Sequence, residues 1–113
     1  MSELIAKIND ANFEKEVLES EIPVLVDFMA DWCPPCRLLA PALEAVAGEL
    51  AGSARIVKVD VDENSASTQR YGVKGMPTLI LFRNGREEER VIGAVSKEVI
   101  KRMFARHLSQ VSA

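Results

Sequence analysis

Residues that hold metals or staple small folds are scarce in this chain: 113 positions contain two cysteines and one histidine. Zinc wants four protein ligands, and one copy offers only Cys33, Cys36 and a remote His107. A metal centre would need two chains sharing cysteines. Basic residues are not in excess, the net charge being −3, so nothing argues for nucleic acid or an anionic membrane as partner. No apolar run approaches the ~20 residues of a membrane span. The opening stretch Met1-Ser2-Glu3-Leu4-Ile5-Ala6-Lys7 lacks the basic-then-apolar order of a secretory signal. A soluble, cytosolic protein is expected, and paired cysteines in that compartment point to redox or metal chemistry rather than to structural bridges. Repeats, linkers, low-complexity segments and cofactor motifs are missing as well. The length suits one compact domain over residues 1–113.

What is present is an ordinary globular composition, 48% hydrophobic and 27% charged, enough to build a core without staples. Charge is uneven along the sequence, with three basic and ten acidic residues in 1–50 against eleven and seven in 51–113. Halves of a sequence are not faces of a fold, so this reads as a mixed solvated surface.

Periodicity then sets the elements. Residues 4–8 are a weak strand candidate, and Asn12 can cap a short helix that stacks Phe13 on Val17. Residues 22–29 form an apolar run broken only by Pro23 and Asp27, as a buried strand would be. Leu38, Leu39, Ala42, Leu43, Val46 and Leu50 recur at helical spacing over 35–50, with Pro41 expected to kink that helix and Gly52 to stop it. Residues 56–61 alternate as a central strand could, and 64–71 read as a short helix closed by Gly72. A strand over 77–83, the Asn84-Gly85 turn with its tolerance of positive φ, and a returning strand over 88–93 make a hairpin. Ser96 caps a last helix with the stripe Val99, Ile100, Met103, Phe104 and Leu108. The order β-α-β-α-β-α-β-β-α calls for crossover helices plus an antiparallel hairpin, hence an α/β fold with a mixed central sheet covered on both faces.

The cysteine pair follows the buried strand and opens a helix, in Trp32-Cys33-Pro34-Pro35-Cys36. Unpaired amides and partial positive charge at a helix N-terminus favour thiolate over thiol. Cys33, at the cap and expected to be the more exposed, is read as the attacking thiolate; Cys36, one turn in, is the resolving thiol. The alternative is an incidental pair of buried cysteines. Asp27 lies inside the apolar strand, where desolvation would raise its pKa, unless it sits at an edge facing water. Lys58 is half of a polar alternation and ambiguous by itself, and Pro77 alone would be the first residue of an edge strand.

Several blocks together resemble the thioredoxin family: Val24-Leu25-Val26-Asp27-Phe28, Ala30-Asp31-Trp32-Cys33-Pro34-Pro35-Cys36-Arg37, Pro41, Lys58 within 57–62, Tyr71-Gly72-Val73-Lys74-Gly75-Met76-Pro77-Thr78-Leu79, and Asn84-Gly85 followed by Gly93. The match covers about Phe13 to Leu108. It implies a thioredoxin fold, a central mixed five-stranded β-sheet flanked by four helices. It implies a thiol-disulfide oxidoreductase reducing protein disulfides through a redox-active Cys33–Cys36 disulfide, with Asp27 a buried acid/base beneath Cys36 and Lys58 its charge partner. It makes Pro77 a cis proline beside the cysteines, with the Met76 backbone pairing with an extended substrate. Around Cys33, it implies a docking patch of Trp32, Pro34, Pro35, Gly75, Met76, Pro77, Ile92 and Gly93. By the same likeness the protein is a monomer recharged by a flavin-containing, NADPH-linked thioredoxin reductase, with no bound cofactor of its own. The rival readings are a non-redox binding or chaperone module and an oxidase- or isomerase-poised member of the family.

Two positions depart from the family pattern. Pro34 stands where Gly is usual, which removes a backbone donor and stiffens the helix start, so a changed redox poise is expected. Met29 stands where an aromatic is usual, a more adaptable filler for the floor of the site. His107 near the apolar stripe of the last helix reads as partly buried or serving the helix dipole. Glu87-Glu88-Glu89 reads as a solvated face.

Overall fold

The computed structural model describes residues 4–111; Met1, Ser2 and Glu3 of the opening stretch, and the last two residues of the expected domain, lie outside the described residues. Nine elements follow in the expected order. They are β1 (Ala6–Ile8), α1 (Glu14–Leu18), β2 (Val24–Met29), α2 (Pro34–Glu49), β3 (Arg55–Asp60), α3 (Ser65–Arg70), β4 (Thr78–Arg83), β5 (Arg86–Ile92) and α4 (Lys97–Val111). The strands form one sheet in the order β1-β3-β2-β4-β5. β3 pairs in parallel with β1 and β2, while β4 is antiparallel to both β2 and β5. The architecture is thus α/β, a mixed five-stranded sheet with four helices.

Each strand sends alternate residues to opposite faces. Leu25, Ile56, Leu79 and Leu81 meet Leu39, Leu43 and Val46 of α2 and Ile100, Met103 and Phe104 of α4 on one face. On the other, Val24, Val26, Phe28, Val57, Val59, Ile80 and Phe82 pack with Phe13 and Val17. Four of the chain's six aromatics gather here, Phe13 lying 5.6 Å from Tyr71 and 5.8 Å from Phe82 between ring centroids. Asp27 shares its strand's Leu25 parity and therefore points toward α2.

Local chemistry explains the boundaries. Asn84 (φ 55°) and Gly85 (φ 78°) both take positive φ, as the hairpin turn requires. Ser96 Oγ accepts from Val99 N at 3.3 Å and starts α4. Elsewhere the expectations fail in instructive ways. Asn12 does not cap α1: its Oδ1 accepts from Asn9 N at 2.8 Å, Phe13 holds the cap position, and α1 is a single π-turn closed by Glu19 N on Glu14 O. Asn64 does not cap α3 with its side chain. Asp10 does so from across the fold, its carboxylate accepting from Ala66 N at 3.1 Å and Ser67 N at 2.9 Å.

Glu87-Glu88-Glu89 is not a simple solvated face. The β4–β5 register slips between Leu81 and Phe82, so Glu87 faces Phe82 and Glu89 faces Leu81, leaving Glu88 as the extra residue of a bulge. Glu88 then approaches Arg83 at 3.7 Å, and Glu89 pairs with Arg106 and with His107 Nε2 at 3.0 Å. His107 is accordingly 9% exposed and docks α4 onto β5. Among the described residues, no helix is long and apolar enough to cross a membrane.

Candidate active site

The C-terminal ends of β2 and β3 lie side by side, tied by Val61 N donating to Met29 O at 2.9 Å. The chain leaves β2 through Ala30, Asp31 and Trp32, then enters α2 at Cys33. Cys33 is the N-cap, with extended φ/ψ of −91° and 109°, and Pro34 and Pro35 fill the first two helical positions. Neither proline has an N–H, so the first side-chain-directed amide is that of Cys36 at the third position. It donates to Cys33 Sγ at 3.3 Å. A sulfur in this place receives the hydrogen bond that an N-cap oxygen normally takes, together with the positive end of a 16-residue helix.

Cys33 and Cys36 are joined in a disulfide with Cα atoms 5.3 Å apart. The expectation that Cys33 is the more exposed does not hold for this oxidised state: it is 3% exposed and Cys36 6%. Ala30, Met29, Val61 and Met76 pack around the pair, and Met76 O lies 3.7 Å from Cys33 Sγ. Burial of Cys33 comes from this ring of neighbours rather than from depth in the core.

Asp27 stands directly across from Lys58 in the β2–β3 register. It is 3% exposed, and its Oδ1 is buried without a protein hydrogen-bond partner. Burial pushes its pKa from 3.8 up to about 7, partly opposed by the Lys58 ammonium. A cavity of about 250 Å³ is lined by Asp27, Lys58, Met29, Cys36, Arg37 and Glu44, among others. Cys36, and not Cys33, therefore lines the same cavity as the buried acid. Met29, the smaller residue at the position where an aromatic is usual, forms part of the chamber wall.

The remaining site residues cluster on the Cys33 side. The Met76–Pro77 bond is cis, and Pro77 is buried. Thr78 Oγ1 donates to Gly75 O at 2.6 Å and Gly93 N to Pro77 O at 2.9 Å, which ties the loop before β4 to the end of β5. A Cβ on Gly75 would stand 4.0 Å from Ile92 Cγ2, so these two are neighbours. Gly93 has φ +107° with open space where a Cβ would be, so conformation rather than crowding calls for glycine there. Trp32 and Ile92 are 60% and 63% exposed, and Pro34 and Pro35 are exposed on the first turn of α2.

Two residues escaped the sequence reading. Leu38, assigned to the apolar stripe of α2, is 76% exposed one turn beyond Pro34. Asp62 accepts from the Trp32 indole Nε1 at 2.8 Å. A signal for the second existed: parallel pairing of β2 with β3 puts the residues that follow each strand next to one another. Among the described residues, no group of three or more His, Cys, Asp or Glu side chains is placed to hold a metal ion.

The thioredoxin family model matches residues 4–106. A thioredoxin from Haemophilus influenzae is 44% identical over 108 residues, covering 96% of this chain and 100% of the relative. One from Pseudomonas aeruginosa is 46% identical over 97 residues, covering 86% and 90%. Thioredoxin 1 of a Nostoc species is 42% identical over 103 residues, covering 91% and 96%. Full-length likeness to these proteins, joined to a closed Cys33–Cys36 pair at a helix start, makes the chain a thiol-disulfide oxidoreductase acting on protein disulfides, and it belongs to the thioredoxin family.

Proposed function

We propose that Cys33 is the nucleophile, Cys36 the resolving thiol and Asp27 the acid/base that serves Cys36. The observation that carries this division of labour is the asymmetry of the site: the helix amide points at Cys33 Sγ, whereas the buried carboxyl shares its chamber with Cys36. In the reduced protein the Cys33 thiolate, held by that amide, attacks one sulfur of a substrate disulfide. A mixed disulfide forms and the other substrate sulfur leaves as thiolate. Cys36 then gives its proton to the Asp27 carboxylate and attacks Cys33 Sγ, which releases the second substrate thiolate and closes the Cys33–Cys36 bond. Two electrons pass to the substrate, and both cysteines end oxidised.

A carboxyl with a pKa of about 7 is half ionised at neutral pH, so it can take a proton and return it. Lys58, half-buried beside it, favours the ionised form. Trp32, Pro34, Pro35, Gly75, Met76, Pro77, Ile92 and Gly93 make the docking floor, with the Met76 backbone offered to an extended substrate as in strand addition. Recharging by an NADPH-linked thioredoxin reductase, action as a monomer and a cytoplasmic setting complete the reading.

Insulin-disulfide reduction by wild type, Cys33→Ser and Cys36→Ser tests it. Wild type is expected to be active and Cys33→Ser inactive, with Cys36→Ser stalling as a mixed disulfide. Activity surviving in Cys33→Ser would overturn the nucleophile, and an inactive wild type would favour a binding module.

A further inference from the structure

Trp32 is the only tryptophan of the chain, and it precedes Cys33 with 60% of its surface exposed. An indole so exposed would sample several rotamers and lose that freedom on docking a substrate. Here one bond holds the ring: Nε1 donates to Asp62 Oδ2 at 2.8 Å, while the Trp32 backbone carbonyl accepts from Arg37 Nη2 at 3.5 Å. Asp62 is itself held. Its amide donates to Asp60 Oδ1 at 2.9 Å; Asp60 is 5% exposed at the end of β3, with Lys7 Nζ 4.0 Å away. The preceding Val61 amide is bound to Met29 O. The carboxylate that holds the indole thus rests on the sheet rather than on a free loop.

We infer that Asp62 is a positioning residue for the protein-disulfide reaction: it presets the Trp32 indole as the docking floor beside Cys33. This rests on the reading of Trp32 as part of the substrate patch. Asp62 touches neither cysteine in this arrangement, so its contribution belongs to binding rather than to sulfur chemistry. Uniform binding lost without change at the reacting atoms appears in KM and not in kcat. Removing a preset orientation also matters only for partners large enough to cover the indole.

The test compares wild type, Asp62→Ala and Asp62→Asn on insulin and on 2-hydroxyethyl disulfide, a disulfide too small to span from Cys33 across Trp32. For Asp62→Ala, the insulin KM is expected to rise about three- to tenfold with kcat held, the loss of one charge-assisted bond at an exposed position. Its rate with the small disulfide stays that of wild type. Trp32 emission, with no other tryptophan to mask it, shifts to the red and becomes more open to iodide quenching. Asp62→Asn keeps an acceptor without the charge and recovers most of the wild-type KM and emission. Trp32→Ala should erase the effect of Asp62→Ala, since the second change then has nothing to release. An unchanged insulin KM in Asp62→Ala overturns the inference while leaving the redox reading intact. Equal loss on both disulfides also overturns it, because Asp62 would then act on the thiols. Wild-type protein that reduces neither disulfide overturns the redox reading, and this inference with it.

Discussion

Pro34 and Pro35 leave the Cys36 amide as the donor on the Cys33 sulfur, and the routes open to Pro34 for an effect on the redox pair are stiffness and one missing N–H. A ring with φ fixed near the helical value reduces the freedom of the open dithiol more than that of the closed disulfide. Glycine at this position would loosen the dithiol and return an amide to the helix start; both changes favour the reduced form. Pro34→Gly is therefore expected to shift the dithiol–disulfide equilibrium with glutathione about two- to fivefold toward dithiol, following the usual size of proline entropy effects. An unmoved constant would show that Pro34 has no part in the poise. At this scale the sequence was informative where a residue contradicts its surroundings. Asp27 stands out because a charge interrupts an apolar strand, and Pro34 because a donor is missing where donors matter. Asp62 gave no such contrast: it sits among Asp60 and Glu63 in an ordinary polar turn, and only the pairing of β2 with β3 brings it to Trp32.

Helix α3 has six residues, too few to persist on its own. Asp10 supplies what its own N-terminus lacks, accepting from the Ala66 and Ser67 amides and from Ser67 Oγ at 2.6 Å. The Ser67 hydroxyl bond is foremost in holding the Asp10 carboxyl below its usual 3.8. A depressed carboxylate contributes stability above its unfolded pKa and loses it as pH falls through the folded one. Asp10→Ala should lower stability by about 1 kcal/mol at pH 7, the lower end being expected for so exposed a group, and the difference should shrink below pH 4. Urea unfolding at the two pH values checks this, and a variant as stable as wild type at pH 7 would remove Asp10 as the cap. Elements as such were legible because their hydrophobic periods are long and clean. The bulge at Glu88 and the remote cap were not, since the one depends on register and the other on a partner more than fifty residues away. The π-turn of α1 is local, closed by Glu19 N on Glu14 O, and differs from an ordinary helical turn by one residue. A one-residue slip in β5 turned Glu88 and Glu89 from a solvated face into the socket for His107 and Arg106, while Glu87 pairs with Arg90.

For the whole molecule, the buried acid sets stability against chemistry. Asp27 has its pKa raised from 3.8 to about 7 by burial, so between those values the folded protein keeps a proton that the unfolded chain has released. Stability then falls as pH rises through this window and levels off above about 7. Three pH units at about 1.4 kcal/mol each make the full effect about 4 kcal/mol, a large share of the 5–15 kcal/mol typical of a domain. Asp27→Asn leaves nothing to ionise at that position. Oxidised wild type and Asp27→Asn, unfolded in guanidinium from pH 4 to 8, should have similar midpoints at pH 4 and diverge as pH rises, the variant becoming the more stable by several kcal/mol at pH 8. The difference between the two curves cancels the surface carboxylates they share, including the paired Glu87 and Glu89. Parallel curves would place Asp27 in contact with water and remove the basis for its role beside Cys36. Divergence joined to slower release of substrate from the mixed disulfide would mean that the fold retains a destabilising carboxyl because Cys36 needs a base at that depth.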